Sequence, residues 1–291
     1  MSFGVEAIET CRSLLFVPAN EPRFIARAHQ RGAGAIILDL EDAIAPDRKE
    51  EARANVANAA AELRRNRAGH VLVRINAGSV EDIDAAVAAR ADAIVLPKPD
   101  SLEEVAWAHT ALSRAERAHG LQDGLVRMLV LVETPAAVLN AASIAGHKRV
   151  DALILGSEDL ALALGVDPTP EALSYAASAV VFAARSRGKV PLGVPGSLAS
   201  ITDVARFEEV VRLGQKLGMA GMVCIHPRQA ETVNARFAPT PEALAQARRV
   251  LLAFEEAQRG GKGAVMFDGK MLDLPIVERA RRLVAAAPFV G

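Results

Sequence analysis

Met128-Leu129-Val130-Leu131-Val132-Glu133-Thr134-Pro135 and Ala152-Leu153-Ile154-Leu155-Gly156-Ser157-Glu158-Asp159 repeat one pattern, about one strand plus one helix apart. A short aliphatic run ends abruptly in acid. A continuous apolar run of this length suits a parallel strand covered on both faces. Similar runs recur at 13–17, 35–40, 71–75, 93–96, 190–194 and 222–225, separated by stretches rich in Ala, Glu and Arg. Helical signals fill those stretches. At 48–67 the apolar Ala52, Val56, Ala59, Ala60 and Leu63 share one stripe. Asp100-Ser101-Leu102-Glu103-Glu104 reads as a helix start. Further helices are expected at 200–217 and 241–258, the second capped by Thr240 with Pro241 at its first position.

Eight such βα repeats in roughly 240 residues predict an α/β chain folded as a TIM (β/α)8 barrel. A doubly wound open sheet is the alternative, but no GxGxxG follows the first run, which removes support for a dinucleotide-binding version. A Gly-rich break at 258–263 and an amphipathic helix at 276–286 add a C-terminal helical extension. The expected division is 1–258 for the barrel and 259–291 for the extension, which would cover a site mouth or pack on a neighbour.

The chain has 291 residues, 51% of them hydrophobic, and a formal net charge of −1. No global field draws it to nucleic acid or a membrane surface, so an anionic ligand must be met by local Arg and Lys groups. Cys11 and Cys224 are far apart and in no CxxC pattern, so they read as packing residues in a reducing compartment. Residues 1–10 carry Glu6 and Glu9 and no apolar leader, which leaves the cytoplasm as the default expectation.

Barrel enzymes place their chemistry at the C-terminal ends of the strands. There the polar residues collect: Asn20 and Arg23, then Asp39, Glu41 and Asp42, then Arg74 and Asn76, Lys98, Glu133, Glu158-Asp159, and His226. A carboxylate at a buried strand end is costly unless paired. Glu133 and Asp159, at two successive strand ends, suggest a shared hard cation that takes oxygen ligands. Arg74 offers a planar fork for a carboxylate or an oxyanion, or else a partner for Glu41 or Asp42. Asp39 and Asp42 could equally cap the helix that follows. Glu158 is set aside as the partner of a barrel Arg or Lys. Lys98 lies among carboxylates that keep it charged, which argues against a Schiff base. His226 reads as a scaffold residue.

Arg12-Ser13-Leu14-Leu15-Phe16-Val17-Pro18, Leu38-Asp39-Leu40-Glu41-Asp42-Ala43, Val73-Arg74-Ile75-Asn76, Leu96-Pro97-Lys98, Val132-Glu133-Thr134-Pro135, Gly156-Ser157-Glu158-Asp159-Leu160 and Ile225-His226-Pro227 occur in that order. Together they resemble the CitE-like family of the HpcH/HpaI aldolase superfamily, which comprises citrate lyase β subunits and malyl-CoA or citramalyl-CoA lyases. The tail motif Asp268-Gly269-Lys270-Met271-Leu272-Asp273-Leu274-Pro275 resembles the acyl-CoA lyases. The resemblance implies a Mg2+-dependent carbon–carbon lyase that cleaves a 3-hydroxyacyl-CoA to acetyl-CoA and a 2-oxo acid. It implies Glu133 and Asp159 as metal ligands, Arg74 as the oxyanion-stabilising arginine, and Glu41 and Asp42 as holders of metal-bound water. It implies Asp273 as the acid–base group, supplied by a neighbouring subunit of a homotrimer or hexamer. Arg74, Glu133, Pro135 and Arg23 form the implied substrate-binding set, with Arg23, Arg12 and Lys270 as candidates for CoA phosphates. Citrate lyase β activity on a carrier-protein thioester and malyl-CoA thioesterase activity are the alternatives. Two departures from the family pattern, at 192–197 and 220–225, remove polarity near the later strands and favour pyruvate, hence citramalyl-CoA.

Overall fold

A computed structural model describes residues 3–199, 201–259 and 265–285. It contains two compact units that divide at Asn234/Ala235. In the first, eight parallel strands follow the order β7-β6-β5-β4-β3-β2-β1-β8. They are β1 (Ser13–Pro18), β2 (Ala35–Asp39), β3 (His70–Arg74), β4 (Ala93–Leu96), β5 (Arg127–Val132), β6 (Val150–Leu155), β7 (Val190–Leu192) and β8 (Met222–Cys224). Each lies within two residues of the run expected from the sequence. The remaining gap, between β7 and β8, is closed by the bridge Leu192↔Gly221. There Gly193 N donates to Gly221 O at 2.9 Å and Ala220 N donates to Pro191 O at 2.9 Å. The closed (β/α)8 barrel is the expected fold, and the open sheet is excluded.

Alternation along the strands explains what the barrel holds. Leu14, Ala35, Ile37, Leu72, Ala93, Val95, Leu129, Leu131, Ala152, Ile154, Val190, Leu192 and Val223 form one buried cluster. Phe3, Ile8 and Cys11 join it from the first helix, α1 (Val5–Cys11), and the residues before it. These bulky aliphatic layers make the barrel a packed core rather than a pore. Cys11 and Cys224 are both buried and unpaired, and burial pushes the Cys11 thiol up to about 12.

Several helices begin where the sequence supplies caps. The remaining helices are α2 (Pro22–Ala28), α3 (Lys49–Arg65), α4 (Val80–Ala88), α5 (Leu102–Ala118), α6 (Pro135–Ala145), α7 (Ser157–Leu164), α8 (Pro170–Ser186), α9 (Val204–Leu217), α10 (Pro227–Phe237), α11 (Pro241–Arg259) and α12 (Leu274–Ala285). Ser101 and Glu104 close a capping box on α5. Thr134 accepts from Ala137 N on α6, and Thr240 accepts from Ala243 N on α11. Among the described residues no helix is long and apolar enough to cross a membrane.

The second unit starts upstream of the 258/259 break read from the sequence. The reason is the apolar face of α11. Ala247, Val250 and Phe254 pack with Leu272, Val277 and Ala280 in a separate core. Between α11 and α12 lies an antiparallel hairpin, β9 (Val265–Phe267) with β10 (Lys270–Leu272), which period-based reading did not show. Residues 200, 260–264 and 286, on which parts of the expected helices and break fall, lie outside the described residues.

Barrel closure leaves no room at Gly221. A Cβ there would stand 2.0 Å from the carbonyl oxygen of Arg12, and main chain cannot swing aside. Gly221→Ala is expected to lower the unfolding free energy by about 3 kcal/mol, the upper end for an overpacked site. Urea denaturation followed by circular dichroism measures it, and an unchanged midpoint would show that the main chain at Arg12 yields.

Candidate active site

The same alternation that fills the barrel decides what stands at its C-terminal rim. Two residues beyond Ile37 comes Asp39, beyond Leu72 comes Arg74, beyond Leu131 comes Glu133, and beyond Ile154 comes Gly156. Each continues an inward-facing series. Asp39 and Arg74 are register partners on β2 and β3. Arg74 Nε donates to Asp39 Oδ1 at 2.8 Å and Nη2 donates to Oδ2 at 2.7 Å, a two-pronged pair. The Asp39 side chain is also held by Glu41 N at 2.9 Å and Ala43 N at 3.2 Å. Asp39 therefore anchors the loop that follows β2, rather than capping the next helix, and pairs with the arginine expected to meet Glu41 or Asp42.

The third nitrogen of the guanidinium, Nη1, lies 2.8 Å from Glu41 Oε2 and 3.1 Å from Asp42 Oδ2. Phe16 supports the group from one face, its ring centre 4.5 Å from Cζ. Glu41 Oε2 is out of line for a hydrogen bond with Nη1, and this buried oxygen finds no hydrogen-bond partner among the described residues. Burial raises the Glu41 pKa, against the lowering effect of Arg74. Lys49 fixes the loop from below: Nζ donates to Leu40 O at 2.8 Å and to Asn76 Oδ1 at 2.9 Å.

Glu133 is clamped from two sides. Lys98 N donates to its Oε1 at 3.0 Å, and a Cβ on Gly156 would stand 2.7 Å from its Oε2. Glu133 is 3% exposed. Burial, followed by the charges of Asp159 and Glu41, pushes its pKa to about 8. Asp159, in the first turn of α7, is more open and meets Lys98 Nζ at 3.4 Å. Burial pulls the Lys98 pKa down, but Glu41, Asp159 and Glu133 outweigh it and hold the ammonium charged, as expected for a lysine that forms no Schiff base.

Arg74, Glu133, Ser157 and Asp159, with the apolar Leu198 and Ile225 among others, line a cavity of about 410 Å³; Glu41 and Lys98 are not among its lining residues. Ser157 Oγ is buried there without a hydrogen-bond partner. Among the described residues no group of three or more His, Cys, Asp or Glu forms a ready metal cage. A cation held by Glu133 and Asp159 would have to complete its shell with water and substrate oxygens, the habit of small hard ions.

Several expected residues stand elsewhere. Arg23 is 75% exposed at the side chain, pairs with Glu21 at 3.3 Å and lies 4.6 Å from the Phe24 ring centre; it does not line the cavity. Pro135 opens α6 and is also outside the lining. Asp273 belongs to the second unit, where its Oδ1 accepts from Ile276 N at 3.3 Å at the start of α12. The Lys270 side chain lies outside the described residues. Among the described residues Glu158 is no partner to an Arg or Lys. It accepts from Ser197 Oγ at 2.6 Å and Leu198 N at 2.8 Å, tying down the loop after β7. His226 serves local structure, its Nδ1 accepting from Arg228 N at 3.2 Å. Sequence reading missed Gly156 as the floor under Glu133 and Asp39 as the main partner of Arg74. The first had a signal, since Gly156 continues the inward series of β6.

With this rim in view, the comparisons decide the family. The family described as HpcH/HpaI aldolase/citrate lyase matches residues 12–227. The chain belongs to it. Its members are carbon–carbon lyases, and the protein is an enzyme of that kind. The HpcH/HpaI match starts just after α1, covers all eight strands of the barrel and ends just after β8. The citrate lyase β subunit of Escherichia coli (strain K12) is 33% identical over 289 residues, 97% of this chain and 95% of that protein. A (3S)-malyl-CoA thioesterase of Cereibacter sphaeroides (strain ATCC 17029) is 34% identical over 288 residues, 96% and 95% of the two chains. The crystal structure of CitE from Mycobacterium tuberculosis in complex with magnesium, acetoacetate and coenzyme A superposes with a TM-score of 0.75 at 29% identity, covering 95% of this chain and 97% of that one.

The raised pKa of Glu133 makes a signed prediction. The folded state holds its proton more tightly than the unfolded chain, whose value is near 4.5. The stability this confers is present below pH 4.5 and is lost as pH rises through about 8. Glu133→Gln removes the titration. In chelator-containing buffer, urea unfolding across that window should show the variant gaining on the wild type as pH rises. A constant difference would mean that Glu133 is ionised throughout.

Proposed function

We propose that the protein is a Mg2+-dependent lyase that cleaves a 3-hydroxyacyl-CoA of the citramalyl-CoA or malyl-CoA type to acetyl-CoA and a 2-oxo acid. The observation that carries the reading is the convergence of Glu133, Asp159 and Arg74 on one cavity, with Glu41 held against Arg74. The donor set fits the metal. Two carboxylates stand together, Glu41 Oε2 lacks a hydrogen-bond partner, and the bare Gly156 leaves Glu133 Oε2 unobstructed by a Cβ. Hard oxygen donors of this kind suit Mg2+, which keeps water and substrate oxygens in its shell. The relative from Mycobacterium tuberculosis, crystallised with magnesium, acetoacetate and coenzyme A, supports the same choice.

Glu133 and Asp159 would hold the ion, which would supply Lewis acidity toward the hydroxyl and carboxylate oxygens of the substrate. Glu41 and Asp42 would orient water at the site. The hydroxyl passes its proton to water, its oxygen pair forms the carbonyl of the 2-oxo acid as the C–C bond breaks, and the bonding pair passes to the acetyl thioester as its enolate. Arg74 meets developing negative charge on oxygen through Nη1, because Nε and Nη2 are occupied by Asp39. Asp273 returns a proton to the enolate carbon, from the tail of a neighbouring copy in a homotrimer or hexamer. The apolar Leu198, Val223 and Ile225 in the cavity lining suit the methyl group of pyruvate, although one methyl separates substrates by only about 1–3 kcal/mol. Two buried, unpaired cysteines suit a reducing compartment such as the cytoplasm.

The similarity to a malyl-CoA thioesterase favours a second reading, hydrolysis at the same site. Product analysis separates the two: a lyase releases acetyl-CoA, a hydrolase free CoA. With malyl-, methylmalyl- and citramalyl-CoA as substrates, acetyl-CoA should appear only with Mg2+. Asp273→Ala should lose about 10²–10⁴-fold in kcat, the usual worth of a general acid, while cation binding survives. Unaltered turnover in that variant would remove Asp273 from the mechanism. Activity that persists in Asp159→Asn or after chelation would remove the metal.

A further inference from the structure

We infer that Lys98 is a positioning residue for the carboxylates at the ends of β5 and β6, and that its ammonium is the internal counter-cation which a divalent ion must displace. The inference rests on the reading of Glu133 and Asp159 as cation ligands. Lys98 stands at φ 52, a region uncommon for a residue with a side chain. It lies between Pro97 and Pro99, and a following proline restricts the backbone further. Such a conformation persists where the surroundings over-determine it, and it clusters at functional sites.

The strained turn puts one residue in contact with three carboxylates. The main-chain N–H donates to Glu133 Oε1 at 3.0 Å. Nζ lies 3.4 Å from Asp159 Oδ1 and 3.7 Å from Glu41 Oε1. The ion pairs at the rim divide accordingly. Arg74 takes Asp39, Glu41 and Asp42, while Lys98 takes Asp159 and shares Glu41. The two cations are not interchangeable. The guanidinium is locked by its bidentate pair, whereas the ammonium is a compact charge on a flexible stem with 39% of its side chain exposed. A divalent ion drawn to Asp159 and Glu133 meets Lys98 as a like charge competing for Asp159. The lysine can leave toward solvent, and its amide goes on holding Glu133.

The test is titration of the full chain with Mn2+ as a paramagnetic probe, read by electron paramagnetic resonance, with thermal melting of the metal-free and Mn2+-loaded proteins alongside. Lys98→Met keeps the amide and removes the charge. It should bind Mn2+ roughly fivefold more tightly, the effect of removing one partly exposed opposing ion pair, and melt lower without metal. Lys98→Arg, which restores the charge, should return Mn2+ affinity to near the wild-type value. Lys98→Gly relieves the backbone and carries the same expectation as Lys98→Met, should the latter fold poorly. Wild-type or weaker Mn2+ affinity in the uncharged variants would overturn the counter-cation role while leaving the metal site intact. Wild-type protein that takes up no Mn2+ would instead overturn the metal reading, and this inference with it.

Discussion

Asp39 and Arg74 meet at the rim of the barrel, and the site is arranged around that meeting. Their carboxylate and guanidinium are joined by two parallel hydrogen bonds. Two backbone amides, Glu41 N and Ala43 N, complete the carboxylate's shell. Asp39 is 1% exposed, so its charge is tolerable only because every lone-pair direction is answered. Removal of Arg74 would leave that charge uncompensated, a loss of about 3–5 kcal/mol for a buried pair. The pair thus fixes the path of the loop after β2, and with it the places of Glu41 and Asp42. It also consumes two of the three guanidinium nitrogens, leaving Nη1 as the one aimed at the remaining acids.

The rest of the rim follows from a shortage of positive charge. Asp39, Glu41, Asp42, Glu133 and Asp159 converge on Arg74 and Lys98. Arg74 gives two nitrogens to Asp39 and faces Glu41 and Asp42 with Nη1, and Lys98 reaches Asp159 and Glu41 at distances longer than a good hydrogen bond. Glu133, buried and without an arginine partner of its own, carries the strain as a raised pKa. A fold selected only for stability would not gather acids this way. Perturbed groups of this kind cluster where chemistry is done, and the arrangement suits a site that is completed by a cation and an oxygen-rich substrate. Two further local features serve the same end: the bare Gly156 beside Glu133 and the positive φ of Lys98.

Much of this was legible before any coordinates. The strands appear where continuous aliphatic runs occur, because a strand covered on both faces has no reason to alternate with polar residues. The caps at Ser101, Thr134 and Thr240 mark helix starts through chemistry that is local to a few residues. The rim acids stand immediately after the runs, so their placement at the C-terminal ends needed only the barrel. The hairpin before α12 was less legible, its strands being three residues each, too short for a period to register. The association of α11 with the tail was hidden too, because an amphipathic helix announces that it has an apolar face and not which core will receive it.

By itself, then, the sequence determined the order of strands and helices, the closed barrel they build, and the set of acids at its mouth. These depend on hydrophobic period and on capping within a turn or two. Only the tertiary structure decided who faces whom. Asp39 takes Arg74 from a site 35 residues away, Glu158 goes to the loop after β7 instead of a cation, and Lys98 reaches Asp159 while its amide holds Glu133. Those choices turn on the register between neighbouring strands and on single backbone angles. A one-residue change in either would send the same side chains to other partners without altering the pattern along the chain.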